Sequence, residues 1–230
     1  MRLGVRTAGI PCGVALLWLL ITGADGATAP HTPAWSGSFV ARLEALALLE
    51  SLNADLLSSD SATVTLEHWC DAHRLASPAR IVAARVPGID KPVSPEQREA
   101  LGVTSTEPVR YRRVRLLCGP VVLSEADNWY VPGRLTPEIN LALDTTDMPF
   151  GKAVRSLQVR RHTLTSKLLW LPLPEGWEMN ATAAAEAGAV PMPATLLEHR
   201  AVLTLPDGTP ISEVVESYTN NVLAFPVPGP

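Results

Sequence analysis

Residues 109–131 read VRYRRVRLLCGPVVLSEADNWYV. Two extended runs, 109–118 and 121–131, are separated only by Gly119-Pro120. Such a pair, joined by so short a link, predicts a β-hairpin. Downstream, the runs 196–205 and 211–220 flank Pro206-Asp207-Gly208-Thr209-Pro210. Asp-Gly at the centre of a turn is a strong hairpin signal, because it accepts the positive φ angles that a tight turn needs. Residues 157–170 alternate as a further strand, and 80–86 (RIVAARV) are β-rich.

Helices precede and interrupt these strands. FVARLEALALLESLNADLL, Phe39–Leu57, carries apolar residues at helical spacing among strong helix formers. Residues 63–73 read as a second helix, with Asp60 or Ser61 able to cap it. A short helix is signposted by Ser94 as N-cap, Pro95 at the first position, Gln97 at the third and Gly102 as stop. Residues 135–143 and 148–154 read as short helices, and 171–193, rich in Pro, Ala and Gly, as a loop or flap. Two hairpins, a long strand and separate helices predict an α+β fold. Its antiparallel sheet carries helices segregated to one side.

The chain has 230 residues and a formal charge of −4. Its start combines Arg2 and Arg6 with the apolar run GVALLWLLIT at 13–22, then small residues at 23–29. That order predicts a cleaved secretory signal at 1–27, for a periplasmic or secreted protein. A flexible leader at 28–38, one domain at 39–225 and a Pro-rich tail at 226–230 follow. Removing Arg2, Arg6 and Asp25 takes the formal charge to −5. An acidic chain without a basic stripe argues against nucleic acid as a partner. No later apolar stretch is long enough for a membrane helix, so no membrane partner is expected after cleavage. A monomer is the expectation. Asn180-Ala181-Thr182 matches a glycosylation acceptor. Cys70 and Cys118 could pair in an oxidising compartment or remain two buried thiols.

The common catalytic signatures G-x-S-x-G, H-E-x-x-H, paired C-x-x-C and the phosphate-binding glycine loop are absent from the sequence. His68, Cys70 and His73 lie near one another without a coherent metal-ligand pattern. What stands out is charge within strands. Arg113 and Arg115 share one face of their run, and Glu213 and Glu216, three apart, point to opposite faces. Either these charges decorate exposed faces, or one arginine and one glutamate line a cavity. In a cavity each needs a partner, which a ligand with a carboxylate and a hydroxyl would supply.

From about Asp60 onward the chain resembles bacterial chorismate pyruvate-lyase. The matches are Asp60-Ser61-Ala62-Thr63 to D-S-x-T, Arg113-Val114-Arg115-Leu116-Leu117-Cys118 to R-x-x-L-L-C, and Met148-Pro149-Phe150-Gly151 to T-P-L-G. Thr163-Leu164-Thr165 is similar to the family's T-L-T, and Gly208-Thr209-Pro210 before an acidic strand to its last hairpin. Effector-binding domains of some bacterial transcription regulators resemble this fold too. The resemblance implies a ligand cavity enclosed under flaps and a cofactor-free lyase that removes pyruvate from chorismate to leave 4-hydroxybenzoate. It assigns the ligand's carboxylate to Arg113 and its hydroxyl to Glu216, with Glu213 the rival. Arg115, Phe150, Gly151 and Asn128 complete the substrate-binding set. Phe150 replaces a cavity leucine, and Asn128 stands where the family often has a second arginine. The partner implied is a small aromatic or chorismate-like carboxylate, with no metal. The alternatives are an exported binding protein for an aromatic hydroxy-acid, without turnover, and a purely structural exported domain.

Overall fold

The computed structural model describes Met1, Gly4 and residues 35–179 and 188–225. The expected signal segment beyond Met1 and Gly4, the glycosylation triplet and the Pro-rich tail lie outside the described residues.

Six strands form one antiparallel sheet in the order β1-β2-β3-β6-β5-β4. They are β1 (Ile81–Arg85), β2 (Arg110–Cys118), β3 (Val121–Tyr130), β4 (Arg160–Leu168), β5 (Thr195–Thr204) and β6 (Pro210–Thr219). Both expected hairpins form, β2–β3 and β5–β6, and β3 pairs with β6 at the centre. The β2–β3 link needs glycine at Gly119. Its φ is +55°, and a Cβ there would lie 2.7 Å from that of Ala76.

The five helices are α1 (Phe39–Leu57), α2 (Ala62–Ala72), α3 (Pro95–Ala100), α4 (Pro137–Thr145) and α5 (Phe150–Ala153). α1 starts at Ser38, whose side chain accepts from the Ala41 amide. Its stripe of Ala41, Ala45, Leu49, Leu52 and Leu56 is buried, and each such leucine contributes about 1.5–3 kcal/mol. Ser94 and Gln97 close the expected capping box on α3. With residues from α1, α2 and α4, the core gathers Val114, Leu116, Ala126, Ala201, Val214 and Tyr218 from one sheet face. Against the opposite face a small cluster joins Leu101, just after α3, to Trp129 and Val131. The architecture is α+β.

Two expectations are corrected. The leader was expected to run through residue 38, but Trp35 is buried, donates from Nε1 to the Leu223 carbonyl at 3.1 Å and meets Phe225 edge-on. A large indole next to an apolar C-terminal segment gains by burial. The stretch 171–193, read as a loop or flap, would as a flap lie near the mouth of the cavity. Its described parts instead run beside the start of α1: Arg42 donates to the Pro172 carbonyl, Phe39 packs on Trp177, and Gly37 bonds Gly188.

Cys70 on α2 and Cys118 at the end of β2 form a disulfide across 48 residues. A second tie fixes α2, the Trp69 indole donating to the Val222 carbonyl at 2.8 Å. Closing a loop of this length contributes roughly 2–4 kcal/mol. Reducing the disulfide, or the paired change Cys70→Ala/Cys118→Ala, should lower Tm by roughly 5–15 °C in calorimetry. An unchanged Tm would mean that α2 is held by packing alone.

Candidate functional site

Strand parity decides which charges meet the helices. In β2, Arg112, Val114, Leu116 and Cys118 are buried, while Arg113, Arg115 and Leu117 turn to the other face. Across the sheet Arg112 sits opposite Asn128, and Asn128 opposite Val214. One row further along, Ala126 pairs with Glu216, and Glu216 with His199. All these residues share the helix-covered face.

Arg112, Val114, Leu116, Ala126, Asn128, Val214 and Glu216 help to line two adjoining hollows of about 40 Å³ each, which have Thr63, Asn128, Phe150, Gly151, Val214 and Glu216 in common. One hollow extends to Arg112 and the other to Arg161 on β4. The roof is the start of α2 and the turn of α5. Gly151 fits there because a Cβ would come within 3.1 Å of Ser61 Oγ and 3.4 Å of Thr63 Oγ1. Phe150 packs against Tyr130 with ring centroids 5.6 Å apart.

Arg112 is 7% exposed. One Nη donates to the Met148 carbonyl at 3.0 Å, while its Nε has no partner. Burial lowers its pKa below the usual arginine value, and no carboxylate among the described residues pairs with it. Glu216, also buried, accepts from Arg161 at 2.6 Å and from the Tyr218 hydroxyl at 3.1 Å. The Nε of Arg161 is buried without a partner. Burial works against the charge of Arg161, but Glu216 and Tyr218 outweigh it and the pKa is raised. Asn128 accepts a short hydrogen bond from Ser212. The two hollows are thus lined by two arginines, Arg112 and Arg161, and two carboxylates, Glu216 and Asp60.

The expected site is corrected at Arg113, Arg115 and Glu213. Arg113 lies on the opposite face, with Glu125 at 2.6 Å and Asp127 at 3.2 Å. Arg115 pairs with Glu125 at 3.0 Å, and Asp127 also takes Lys91 at 2.5 Å. Both arginines are thus charge-paired away from the hollow. Glu213 shares that outer face and accepts from Arg200 at 2.9 Å. Glu216, Asn128, Phe150 and Gly151 do meet at the hollow, and no described residue of 171–193 lines it. Counting back from Cys118 selects Arg113. Following the apolar alternation Val114-Leu116-Cys118 backward selects Arg112, and that signal was present in the sequence. Arg161 had no comparable signal, since β4 lacks a continuous apolar face.

The fold and site define an α+β domain with a small enclosed polar cavity. The chain is 59% identical over 196 residues to the uncharacterized protein y4mC of Sinorhizobium fredii, covering 84% of this chain and 83% of that one, and it belongs to the same family. Models of known protein families give no match. Among solved structures, the effector domain of PhnF from Mycobacterium smegmatis is similar at a TM-score of 0.47 and 18% identity, over 70% of this chain and 90% of that one. The ligand-binding domain of a putative GntR-family transcriptional regulator from Bordetella bronchiseptica gives 0.42 and 18%, over 64% and 89%.

His199 is fully buried beside this cluster, its Nε2 2.8 Å from Asn53 Oδ1 on α1 and its Nδ1 without a partner. Burial first, then the charge of Arg161, lowers its pKa from 6.5 to about 4. Unfolding therefore takes up a proton between those values. The stability His199 contributes is complete above pH 6.5 and is lost as pH falls toward 4. Urea titrations should show a loss of roughly 3 kcal/mol across that window, flattened in His199→Gln. An equally steep pH dependence in His199→Gln would remove His199 as its source.

Proposed function

We propose that the protein binds a small hydroxylated aromatic carboxylate in the hollow between Arg112 and Arg161. The reaction these residues suit is cofactor-free elimination of pyruvate from chorismate or a close relative. The observation that carries the reading is the buried guanidinium of Arg112, whose Nε has no partner and which forms no salt bridge among the described residues, Asp144 and Asp147 acting on it only from a distance. An unpaired buried charge costs several kcal/mol, and a ligand carboxylate offsets that cost. Arginine also suits the task because its planar fork matches a carboxylate bidentately. Arg112 thus takes the role that the family resemblance gave to Arg113, and Glu216 keeps the hydroxyl.

The chemistry asks little of the protein. Breaking the ether bond releases the enolpyruvyl group as pyruvate, the hydrogen from the neighbouring hydroxyl-bearing carbon ends on its methylene, and the ring becomes aromatic. Fixing the ring by its carboxylate and surrounding the departing oxygen with donors serves orientation and electrostatic stabilisation. A liquid water occupies about 30 Å³, so hollows of about 40 Å³ must widen to admit a ring. The four-residue α5 is the smallest element of the roof and the part that yields.

A second reading, a binding protein without turnover, is favoured by one observation. Glu216 is already paired with Arg161 and Tyr218, so its carboxylate is engaged within the protein before any ligand arrives. Under either reading we propose export, a single domain and a monomer. Export is supported by the order of charged, apolar and small residues at 2–29 and by the Cys70–Cys118 disulfide, a bond that persists in oxidising compartments.

Calorimetry with 4-hydroxybenzoate should find binding weakened at least about tenfold in Arg112→Ala, a loss of about 1.5–3 kcal/mol, and unchanged in Arg113→Ala. The reverse ranking would overturn the site. Pyruvate release from chorismate by the wild type supports the lyase. Binding with no pyruvate release leaves the binding protein.

A further inference from the structure

The Arg112 end of the hollow answers a carboxylate; the far end carries a different chemistry. There Arg161 and Glu216 stand side by side, both buried and joined at 2.6 Å. Their pairing uses one Nη of Arg161 and Oε2 of Glu216. Arg161 keeps an Nε–H that no group accepts, and Glu216 keeps Oε1, for which no hydrogen bond exists among the described residues. A buried donor without an acceptor is costly, and native structures rarely keep one without cause.

The geometry points to Arg161 as a specificity-determining residue that reads a hydroxyl on the ligand. This rests on the reading of Arg112 as the carboxylate partner. A hydroxyl is both donor and acceptor. It can donate to Glu216 and accept from the Arg161 Nε–H at once, which satisfies the buried donor that lacks a partner. An arylamine supplies donors to Glu216, but its nitrogen lone pair is delocalised into the ring and accepts poorly from Arg161. A bare ring edge satisfies neither group. A second carboxylate would meet Glu216 as a like charge. The ligand that fits this end best is therefore the monocarboxylate product of the proposed reaction, with a hydroxyl at the opposite end of a short rigid body, ahead of the dicarboxylate chorismate.

Arg161 reaches this position because the Asp60 carboxylate accepts from its backbone amide at 3.0 Å, which ties β4 to the start of α2. The sheet register sets Arg161 opposite Leu203 on β5, and Leu203 opposite Ser212 on β6. The second arginine of the hollow thus comes from the edge strand β4, while the position on β3 carries Asn128.

The test is a calorimetric comparison of 4-hydroxybenzoate, 4-aminobenzoate and benzoate on the full chain. Wild type should prefer the hydroxyl over the amino compound by about tenfold or more, because a site built to bond a hydroxyl rejects analogues that leave its groups unpaired. Glu216→Gln retains the Arg161 donor and should keep that preference. Arg161→Met/Glu216→Gln leaves no unpaired charge behind, so it also guards against a folding failure. In it the preference should fall below about threefold while benzoate affinity, set by Arg112, stays within about threefold of wild type. Equal wild-type affinity for the hydroxyl and amino compounds, or a full preference in the double variant, overturns the role of Arg161. If none of the three binds wild type, the Arg112 reading falls and this one falls with it.

Discussion

A strand turns successive side chains to opposite faces, and the candidate site depends on how that parity falls in β2. The strand carries arginines at 110, 112, 113 and 115. Because Val114, Leu116 and Cys118 must reach the core, Arg112 goes with them under the helices and Arg113 and Arg115 go outward. A one-residue slip would bury two arginines and expose three core residues. The outward pair is neutralised by Glu125 and Asp127, so that face can stay open to solvent. The inward one forms no salt bridge among the described residues, and its Nε is buried without a partner.

The elements around the hollow are held from several directions. The Cys70–Cys118 disulfide joins α2 to β2, the strand that carries Arg112. Asp60 fastens the same helix start to β4, the strand that carries Arg161. The Glu67 carboxylate on α2 accepts from Lys152 on α5 at 2.5 Å and from the Ile81 amide on β1 at 2.8 Å. α5 has four residues and no side-chain cap. The charges of the hollow are thus carried by strands fixed to the helices at several points, and its cover, α5, is tied to α2 through Lys152 and Glu67. Charges held in this way are preorganised for a ligand.

Much of the fold was legible because its signals are local. The 39–57 periodicity defines α1, Ser94 and Gln97 define α3, and Gly119-Pro120 and Asp207-Gly208 define the two hairpins. Each acts within a few residues, and the structure follows each of them. The hollow was legible only in part. Glu216, Asn128, Phe150 and Gly151 meet there as expected, but the arginine that lines it is Arg112 and not Arg113. Arg161 and His199 depend on pairing between strands distant in sequence, which no local pattern records. The segment 171–193 has a loop's composition, and composition says nothing of which surface a loop covers.

The most direct test of the account is a crystal structure of the protein grown with saturating 4-hydroxybenzoate. The account predicts the ligand inside the hollow, its carboxylate hydrogen-bonded to Arg112, its hydroxyl between Glu216 and Arg161, and α5 displaced outward. A ligand bound beside Arg113 on the open face, or an empty hollow with Arg112 unchanged, would contradict it.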